Sequence, residues 1–213
     1  MIAPPLSATD FIQANLVLQP APAVPELSLY TAHPASRVSR LAGSVAPYWA
    51  YRWAGGTVLA RYVLDHPEAV GGRRVLDLGA GSGIVGIAAM RAGAMSVLAV
   101  DIDPNAIAAI NLNAAANGVA VTAMAGDVTQ GAAPDVDIVL GGDVFYDAAV
   151  AASMTPFLDR CHVAGLDILI GDPGRMPLPV GRLQAVAPYH VPDFGDASAI
   201  ERPSMIYRWT SGT

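Results

Sequence analysis

Three glycines at alternate positions, with an aspartate ahead of them, form the pattern in this sequence that is most able to do chemistry. The glycines are Gly79, Gly81 and Gly83, and Asp77 precedes them within residues 75–83, VLDLGAGSG. Glycine allows a tight turn from a strand into a helix and a close approach of a ligand to the backbone. About 20 residues further on, the apolar run 97–100 ends in Asp101, whose carboxylate can accept both hydroxyls of a ribose. The spacing predicts a nucleotide-cofactor site.

Two classes of cofactor fit these glycines. Gly81, Gly83 and Gly86 also satisfy the pattern G-x-G-x-x-G, which is typical of NAD and FAD sites. Asp77 favours S-adenosylmethionine, because a carboxylate beside a pyrophosphate is unfavourable, whereas S-adenosylmethionine has no phosphate and carries a positive sulfonium and a positive amino group. The local charge therefore predicts a cationic ligand.

The glycine segment resembles the first motif of the class I, seven-stranded methyltransferases, an acid followed by G-x-G-x-G. Residues 99–106, AVDIDPNA, resemble the second motif of that class, in which the acid that ends the second strand binds the ribose. This resemblance assigns Asp101 and Ile102 to the cofactor. Asp103 precedes Pro104 at a first helical position and is interpreted as a helix N-cap.

A third segment that resembles this class is residues 125–128, AGDV. In the class, an acid here accepts a hydrogen bond from the adenine amino group, and the next backbone N–H meets a ring nitrogen. The resemblance gives these roles to Asp127 and Val128. The alternative for Asp127 is a turn aspartate that follows a strand.

Apolar runs that alternate with helical patterns predict the elements that must position these residues. Strands are expected at 74–78, 96–101, 119–124, 136–141 and 166–171, and helices near 83–92, 104–117 and 147–161. Residues 185–193 and 204–210 are predicted to pair as antiparallel strands, because the segment between them is too short for a crossover helix. The predicted fold is a Rossmann-like, doubly wound α/β sheet of seven strands, mostly parallel, with an antiparallel C-terminal strand.

Length and composition predict one domain. The chain has 213 residues, of which 53% are hydrophobic, so it can bury a sizeable core. Residues 1–66 are expected to form an N-terminal extension and the first helix, and residues 67–213 the cofactor-binding core. Within the extension, apolar residues between Phe11 and Leu18 predict a short packed element, and residues 48–52 an aromatic turn before a helix at 55–66.

Charge and residue types disfavour several other functions. The net charge is -6, which disfavours nucleic acid as a partner. The chain contains arginine but no lysine, which excludes methylation of its own lysine side chains. Cys161 is the only cysteine, so neither a disulfide nor a metal site is expected. The first arginine is Arg37, and no signal peptide or membrane span is recognised. A cytoplasmic monomer is expected.

Several segments resemble a closer family, the electron transfer flavoprotein β-subunit lysine methyltransferases. They are residues 24–32 (VPELSLYTA), 47–56 (PYWAYRWAGG), 171–175 (GDPGR) and 178–179 (LP). The family belongs to a wider group of protein lysine methyltransferases with an acid-x-x-aromatic motif after the fourth strand, which Asp143 to Tyr146 match. In that group a tryptophan placed like Trp53 packs beside the cofactor, and an acid placed like Asp143 lies at the methyl-transfer site.

The resemblance implies transfer of a methyl group from S-adenosylmethionine to a lysine of a protein, the electron transfer flavoprotein β subunit. Ribosomal protein lysines and small-molecule amines are alternatives within the enzyme class. A nicotinamide oxidoreductase and a non-catalytic cofactor-binding module are alternatives from other classes. Residues 142–146, GDVFY, stand where catalysts of adenine or glutamine methylation carry Asn-Pro-Pro-aromatic, so those substrates are disfavoured.

The implied reaction is in-line attack of a neutral amine on the sulfonium methyl group, with catalysis by alignment and desolvation. A lysine with a pKa near 10.4 is neutral in about one molecule in a thousand near pH 7.4. Burial and the sulfonium lower the pKa of this amine, whereas Asp143 raises it. We therefore predict that Asp143 captures and aims the lysine, and that Tyr146 supports the pocket by packing or through its hydroxyl.

Overall fold

The computed structural model describes residues 7–42, 46–193 and 201–212. The α-helices of this part of the chain are α1 (Ala8–Asn15), α2 (Ser39–Ala42), α3 (Ala54–Asp65), α4 (Ile84–Arg91), α5 (Pro104–Ala116) and α6 (Ala148–Val163). Its strands are β1 (Val17–Ala21), β2 (Val24–Thr31), β3 (Arg74–Leu78), β4 (Ser96–Asp101), β5 (Thr122–Ala125), β6 (Ile138–Gly142), β7 (Asp167–Asp172), β8 (Leu183–Pro192) and β9 (Glu201–Trp209). Short 3₁₀ turns lie at Tyr48–Ala50, Pro67–Ala69 and Val180–Arg182.

The central sheet has seven strands in the order β5-β4-β3-β6-β7-β9-β8. The strands from β5 to β7 pair in parallel, and β9 runs antiparallel to both β7 and β8. The predicted α/β fold and its antiparallel C-terminal strand are therefore confirmed. The chain leaves β3 toward one edge of the sheet and returns to β6 on the other side. Ligands of doubly wound folds bind beside the carboxyl ends of the strands at such a reversal.

The predicted strands agree closely with the structure, and the main difference lies at β5. This strand begins at Thr122 rather than at residue 119, because the backbone N–H of Val119 donates to the carbonyl of Ala114 at 3.1 Å and closes the end of α5. The final strand begins earlier than predicted, at Glu201. Residues 194–200, most of the connection expected before it, lie outside the described residues.

The two faces of the sheet are buried under different helices. In β3, Val75 packs with residues of α3 and α4, whereas its neighbour Leu76 packs with Phe157 of α6. Successive side chains of a strand point to opposite faces, so a strand covered on both sides reads as a continuous apolar run. This explains why the parallel strands were recognisable from sequence. Among the described helices, none is long and apolar enough to cross a membrane.

The N-terminal extension contains a hairpin that the sequence did not predict. The packed element expected between Phe11 and Leu18 divides into α1, which buries Phe11 and Ile12, and β1, where Leu18 is exposed. Strand β1 pairs antiparallel with β2. The outer edge of β2 contacts α5, where Asn113 Oδ1 accepts from the backbone N–H of Tyr30 and Asn117 bonds to both backbone groups of Ser28. The extension is thus joined to the core by hydrogen bonds.

Candidate active site

A cleft of about 610 Å³ opens at the carboxyl ends of β3, β4 and β6. The predicted site residues on its wall are Trp53, Gly79, Gly81, Asp101, Ile102, Asp127, Val128, Asp143 and Tyr146. Asp77 lies in a narrow pocket that shares Trp53, Gly79 and Gly81 with the cleft. The residues predicted to bind cofactor and those predicted to perform chemistry therefore meet in one place.

The glycine turn divides into ligand-facing and packing residues. Gly79 and Gly81 have φ angles of +64° and +53°, and both line the cleft. Gly83, with φ +81°, precedes α4 and lines neither pocket. A Cβ at this position would lie 3.2 Å from the side chain of Ile110 on α5. The structure thus places Gly83, which the motif assigned to the cofactor, where helix packing requires a glycine.

Asp101 ties the glycine turn to the end of β4. Its Oδ2 accepts from the N–H of Gly81 at 2.8 Å and its Oδ1 from the N–H of Asp103 at 2.9 Å. Burial raises the pKa of Asp101, and the two backbone N–H groups oppose the shift. Asp103 accepts from the N–H of Asn105 at 2.8 Å and begins α5, so the N-cap interpretation is confirmed.

The other end of the cleft contains the residues predicted to meet the adenine. Ile102 is 66% exposed and presents an apolar surface to the cleft. Asp127 Oδ1 accepts from both the N–H and the hydroxyl of Thr129, at 2.8 and 2.6 Å, and these bonds lower the pKa of Asp127. Asp127 therefore does form a turn, as the alternative interpretation expected, and it also lines the cleft beside Val128.

Asp77 is a buried carboxyl group behind the glycine turn. Its side chain is 1% exposed, and its Oδ2 accepts from the N–H of Gly86 at 2.8 Å. Burial raises the pKa of Asp77 to about 7, with a smaller contribution from Asp101. A carboxyl group in this state gains from a cationic partner, which agrees with the sequence argument for a cationic ligand.

Arg52 is a site residue that the sequence did not identify. It shares the narrow pocket with Asp77, Gly79 and Gly81. Burial lowers its pKa, and among the described residues no hydrogen bond or ion pair to it is found. A half-buried guanidinium that has no anionic partner in the described part of the chain would be stabilised by an anionic group of a bound ligand. The one sequence signal was its position inside an aromatic turn, which by itself indicates no ligand.

Asp143 caps the start of α3 from the end of β6. Its Oδ2 accepts from the backbone N–H groups of Gly55 and Gly56, the latter at 3.1 Å. Its own N–H donates to the carbonyl of Gly171 at 3.0 Å, and its φ is +56°, a left-handed conformation that aspartate tolerates better than most residues. A carboxylate at a helix N-terminus is favourable, because it satisfies unpaired N–H groups and faces the positive end of the helix dipole.

The other carboxylate oxygen of Asp143 is held by Arg175. Both Nε and Nη2 of this arginine lie 2.6 Å from Oδ1. Burial raises the pKa of Asp143 to about 6, and the Arg175 charge opposes that shift. An ionised carboxylate has about four acceptor positions. Here three of them accept hydrogen bonds from Gly55, Gly56 and Arg175 Nε, and Arg175 Nη2 forms an ion pair beside the fourth. An incoming ammonium group would have to displace one of these donors.

Aromatic side chains form the wall beside Asp143. The rings of Tyr48 and Trp53 are 5.5 Å apart in an edge arrangement, and those of Tyr48 and Tyr146 are 5.3 Å apart. Trp53 donates from its indole nitrogen to the carbonyl of Tyr48 at 2.9 Å, and the guanidinium of Arg175 lies over its ring at 5.7 Å. Ring faces attract cations, so this wall is suited to an amine or a sulfonium.

This sheet order, with the acid and glycine turn at its reversal, defines the class I methyltransferases. A solved structure with the same fold is the ribosomal protein L11 methylase from Lactobacillus delbrueckii subsp. bulgaricus, with a TM-score of 0.53, 22% identity, and coverage of 73% of this chain and 79% of that one. The sequence model of the ribosomal protein L11 methyltransferase (PrmA) family matches residues 56–142.

Curated relatives narrow this class to a family. The electron transfer flavoprotein β-subunit lysine methyltransferase of Danio rerio is 47% identical over 131 residues, which are 61% of this chain and 51% of that protein. The homolog of this methyltransferase in Caenorhabditis elegans is 30% identical over 199 residues, 84% of this chain and 82% of that protein. The chain belongs to the electron transfer flavoprotein β-subunit lysine methyltransferase family. It spans about half the length of the Danio rerio relative.

Proposed function

We propose that the protein transfers a methyl group from S-adenosylmethionine to lysine side chains of a protein, most favourably the electron transfer flavoprotein β subunit. The observation that carries the proposal is the single cleft in which Asp101 and the glycine turn face Asp143 and the aromatic wall. A methyl donor and an amine acceptor need such a shared, partly desolvated space, because alignment supplies most of the catalysis.

The cofactor is proposed to lie along the carboxyl ends of the strands. Asp101 accepts the ribose hydroxyls, and Ile102, Asp127 and Val128 contact the adenine. The methionine end is a zwitterion, and the narrow pocket offers Asp77 for its ammonium and Arg52 for its carboxylate. Opposite charges in one small pocket support a zwitterionic ligand better than a polyanion such as NAD.

Arg52→Met tests this placement of the methionine end. We expect the affinity for S-adenosylmethionine to fall about 10- to 100-fold, because a hydrogen bond to a charged group contributes about 1.5–3 kcal/mol. Titration calorimetry on the folded variant measures the change. Arg182→Met is the matched control, since Arg182 pairs with Asp159 outside the cleft. Equal affinity in wild type and Arg52→Met would remove Arg52 from the cofactor site.

The protein substrate is supported by the relatives that carry this activity in their names. The ribosomal alternative is supported by the PrmA family match over residues 56–142, and a small amine would also suit Asp143 and the aromatic wall.

We further propose a single domain acting as a monomer in the cytoplasm. Cys161 is buried, and burial raises the pKa of its thiol to about 11; an unreactive buried thiol of this kind is compatible with a reducing compartment.

Transfer of labelled methyl from S-adenosylmethionine tests the proposed reaction. The acceptors are purified electron transfer flavoprotein and a cell extract, and we expect label in the β subunit, recovered as methyllysine. The enzyme contains no lysine, so methyllysine in the digest can come only from the acceptor. Asp143→Ala is the inactive control.

Each other outcome of this assay points to a different function. Label in a ribosomal protein would keep the enzyme class and change the substrate. Label in small molecules alone would favour the amine methyltransferase. Cofactor binding without any transfer would favour the non-catalytic module, and displacement by NAD in a titration would favour the oxidoreductase.

A further inference from the structure

Arg175 lies where the cleft, the aromatic wall and Asp143 meet. It follows β7 and lines the cleft. Its Nε donates to Asp143 Oδ1, its Nη2 forms an ion pair with the same oxygen, and its guanidinium lies over the ring of Trp53. This arginine therefore joins the residue assigned to the substrate with a residue assigned to the cofactor.

The charges around Asp143 come from several elements. Asp172, at the end of β7, accepts from the backbone N–H groups of Gly174 and Arg175, both at 2.7 Å. Asp193, which follows β8, accepts from the N–H of Ala54 and lies 3.5 Å from Arg175 Nη2. Asp172 and Asp193 raise the pKa of Asp143, and Arg175 lowers it. Among the described side chains with the largest effects on this pKa, Arg175 is the cation.

This arrangement bears on how an amine can react. Methyl transfer forms an N–C bond as the C–S bond breaks, so the nitrogen must bring a free electron pair. The sulfonium becomes a neutral thioether, and the methylated ammonium then loses a proton to solvent. A bare carboxylate beside the acceptor would stabilise the ammonium, which has no free pair, and would raise its pKa. A guanidinium paired with the carboxylate opposes its negative charge and so weakens this stabilisation of the ammonium.

We propose that Arg175 is a positioning residue that compensates the charge of Asp143, so that the acceptor lysine is bound as a neutral amine. The Nε–H of Arg175 and the N–H groups of Gly55 and Gly56 donate to the carboxylate and hold it in one orientation, and Nη2 adds an ion pair. The paired guanidinium, together with the sulfonium, lowers the pKa of the amine. This inference rests on the proposed methyl transfer.

The pH dependence of kcat tests this role with purified electron transfer flavoprotein as substrate. In Arg175→Met, either Asp143 takes up a proton or the acceptor remains an ammonium, and both require a higher pH for reaction. We expect the rising limb of the kcat profile to move up by about one pH unit or more, so that kcat near pH 7 falls about tenfold or more and recovers in alkaline buffer. KM for the protein and affinity for S-adenosylmethionine should change little.

Two further variants separate charge from structure. Arg175→Lys keeps the charge and should restore most of the profile, although it loses the two-pronged contact. Arg182→Met removes an arginine paired outside the cleft and should leave the profile in place. A fall in kcat by the same factor at every pH, or a profile of Arg175→Met that matches wild type, would overturn the inference while methyl transfer by wild type upholds the proposed function. No transfer by wild type would overturn both.

Discussion

Asp143→Asn is expected to lower kcat for methyl transfer into protein lysine by about 10²–10³-fold, the loss typical of removing a preorganised electrostatic group. The amide has one acceptor oxygen and two N–H donors. It would therefore present donors either to the N–H groups of Gly55 and Gly56 or to the guanidinium of Arg175. Breaking one member of a buried ion pair also leaves the other uncompensated.

Steady-state kinetics and a cofactor titration on the folded variant measure this effect together. Affinity for S-adenosylmethionine should stay close to that of wild type, because the proposed cofactor contacts come from Arg52, Trp53, the ends of β3 and β4 and the segments that follow β3, β4 and β5, and not from Asp143. Asp159→Asn is the matched control, since Asp159 pairs with Arg182 away from the cleft. Full methylation by Asp143→Asn with unchanged cofactor affinity would remove Asp143 from the catalytic site.

Gly55→Ala is expected to destabilise the fold by about 3 kcal/mol, at the upper end of the usual range for overpacking. A Cβ at Gly55 would lie 2.7 Å from the backbone nitrogen of Asp143, and closer still to the carbonyl oxygen of Gly171. Helix propensity alone predicts the opposite sign, a gain of up to about 1 kcal/mol for alanine. The steric contact dominates because backbone atoms of β6 and β7 cannot move without disturbing the sheet.

Thermal unfolding shows whether Gly55→Ala lowers or raises the free energy of unfolding. A loss of about 3 kcal/mol corresponds to a fall in Tm of about 6–12 °C for a chain of this size. Gly181→Ala is the control, because its added Cβ has no neighbour within 4 Å, and a change within about 0.5 kcal/mol is expected. A Tm of Gly55→Ala equal to or above that of wild type would show that α3 does not pack against the sheet as closely as described.

The strands and the glycine turn were predictable because their signals are local. The predicted bounds of β3 and β4 agree with the structure residue for residue, since a parallel strand covered on both faces reads as one apolar run. The hairpin of β1 and β2 was not predicted, because prolines at positions 20, 22 and 25 indicated a broken chain. The structure accommodates Pro20 in β1, at the outside of a two-stranded ladder, where the missing N–H matters least.

The candidate site was predictable residue by residue but not in its pairings. The motifs located Asp101 and Asp143, and both line the cleft. The contact between Asp143 and Arg175, which lies 32 positions away along the chain, was not predictable, because contacts between the ends of two strands leave no periodic pattern in a sequence. Arg52 was missed for the same reason, since its importance depends on the pocket it shares with Asp77.

Two asparagines of α5 cover the edge of β2 that is not paired with another strand. One side of β2 is paired with β1, and an unpaired edge on the other side would offer its backbone groups to a second chain, as in edge-to-edge aggregation. Asn117 instead bonds to both the N–H and the carbonyl of Ser28, and Asn113 accepts from the N–H of Tyr30. Asn113 also donates to the carbonyl of Ser82 in the glycine turn. Helix α5 thus takes the place of a neighbouring strand at this edge of β2. The side-chain amide of Asn113 both blocks the edge to strands of other molecules and supports the glycine turn beside the proposed methyl donor.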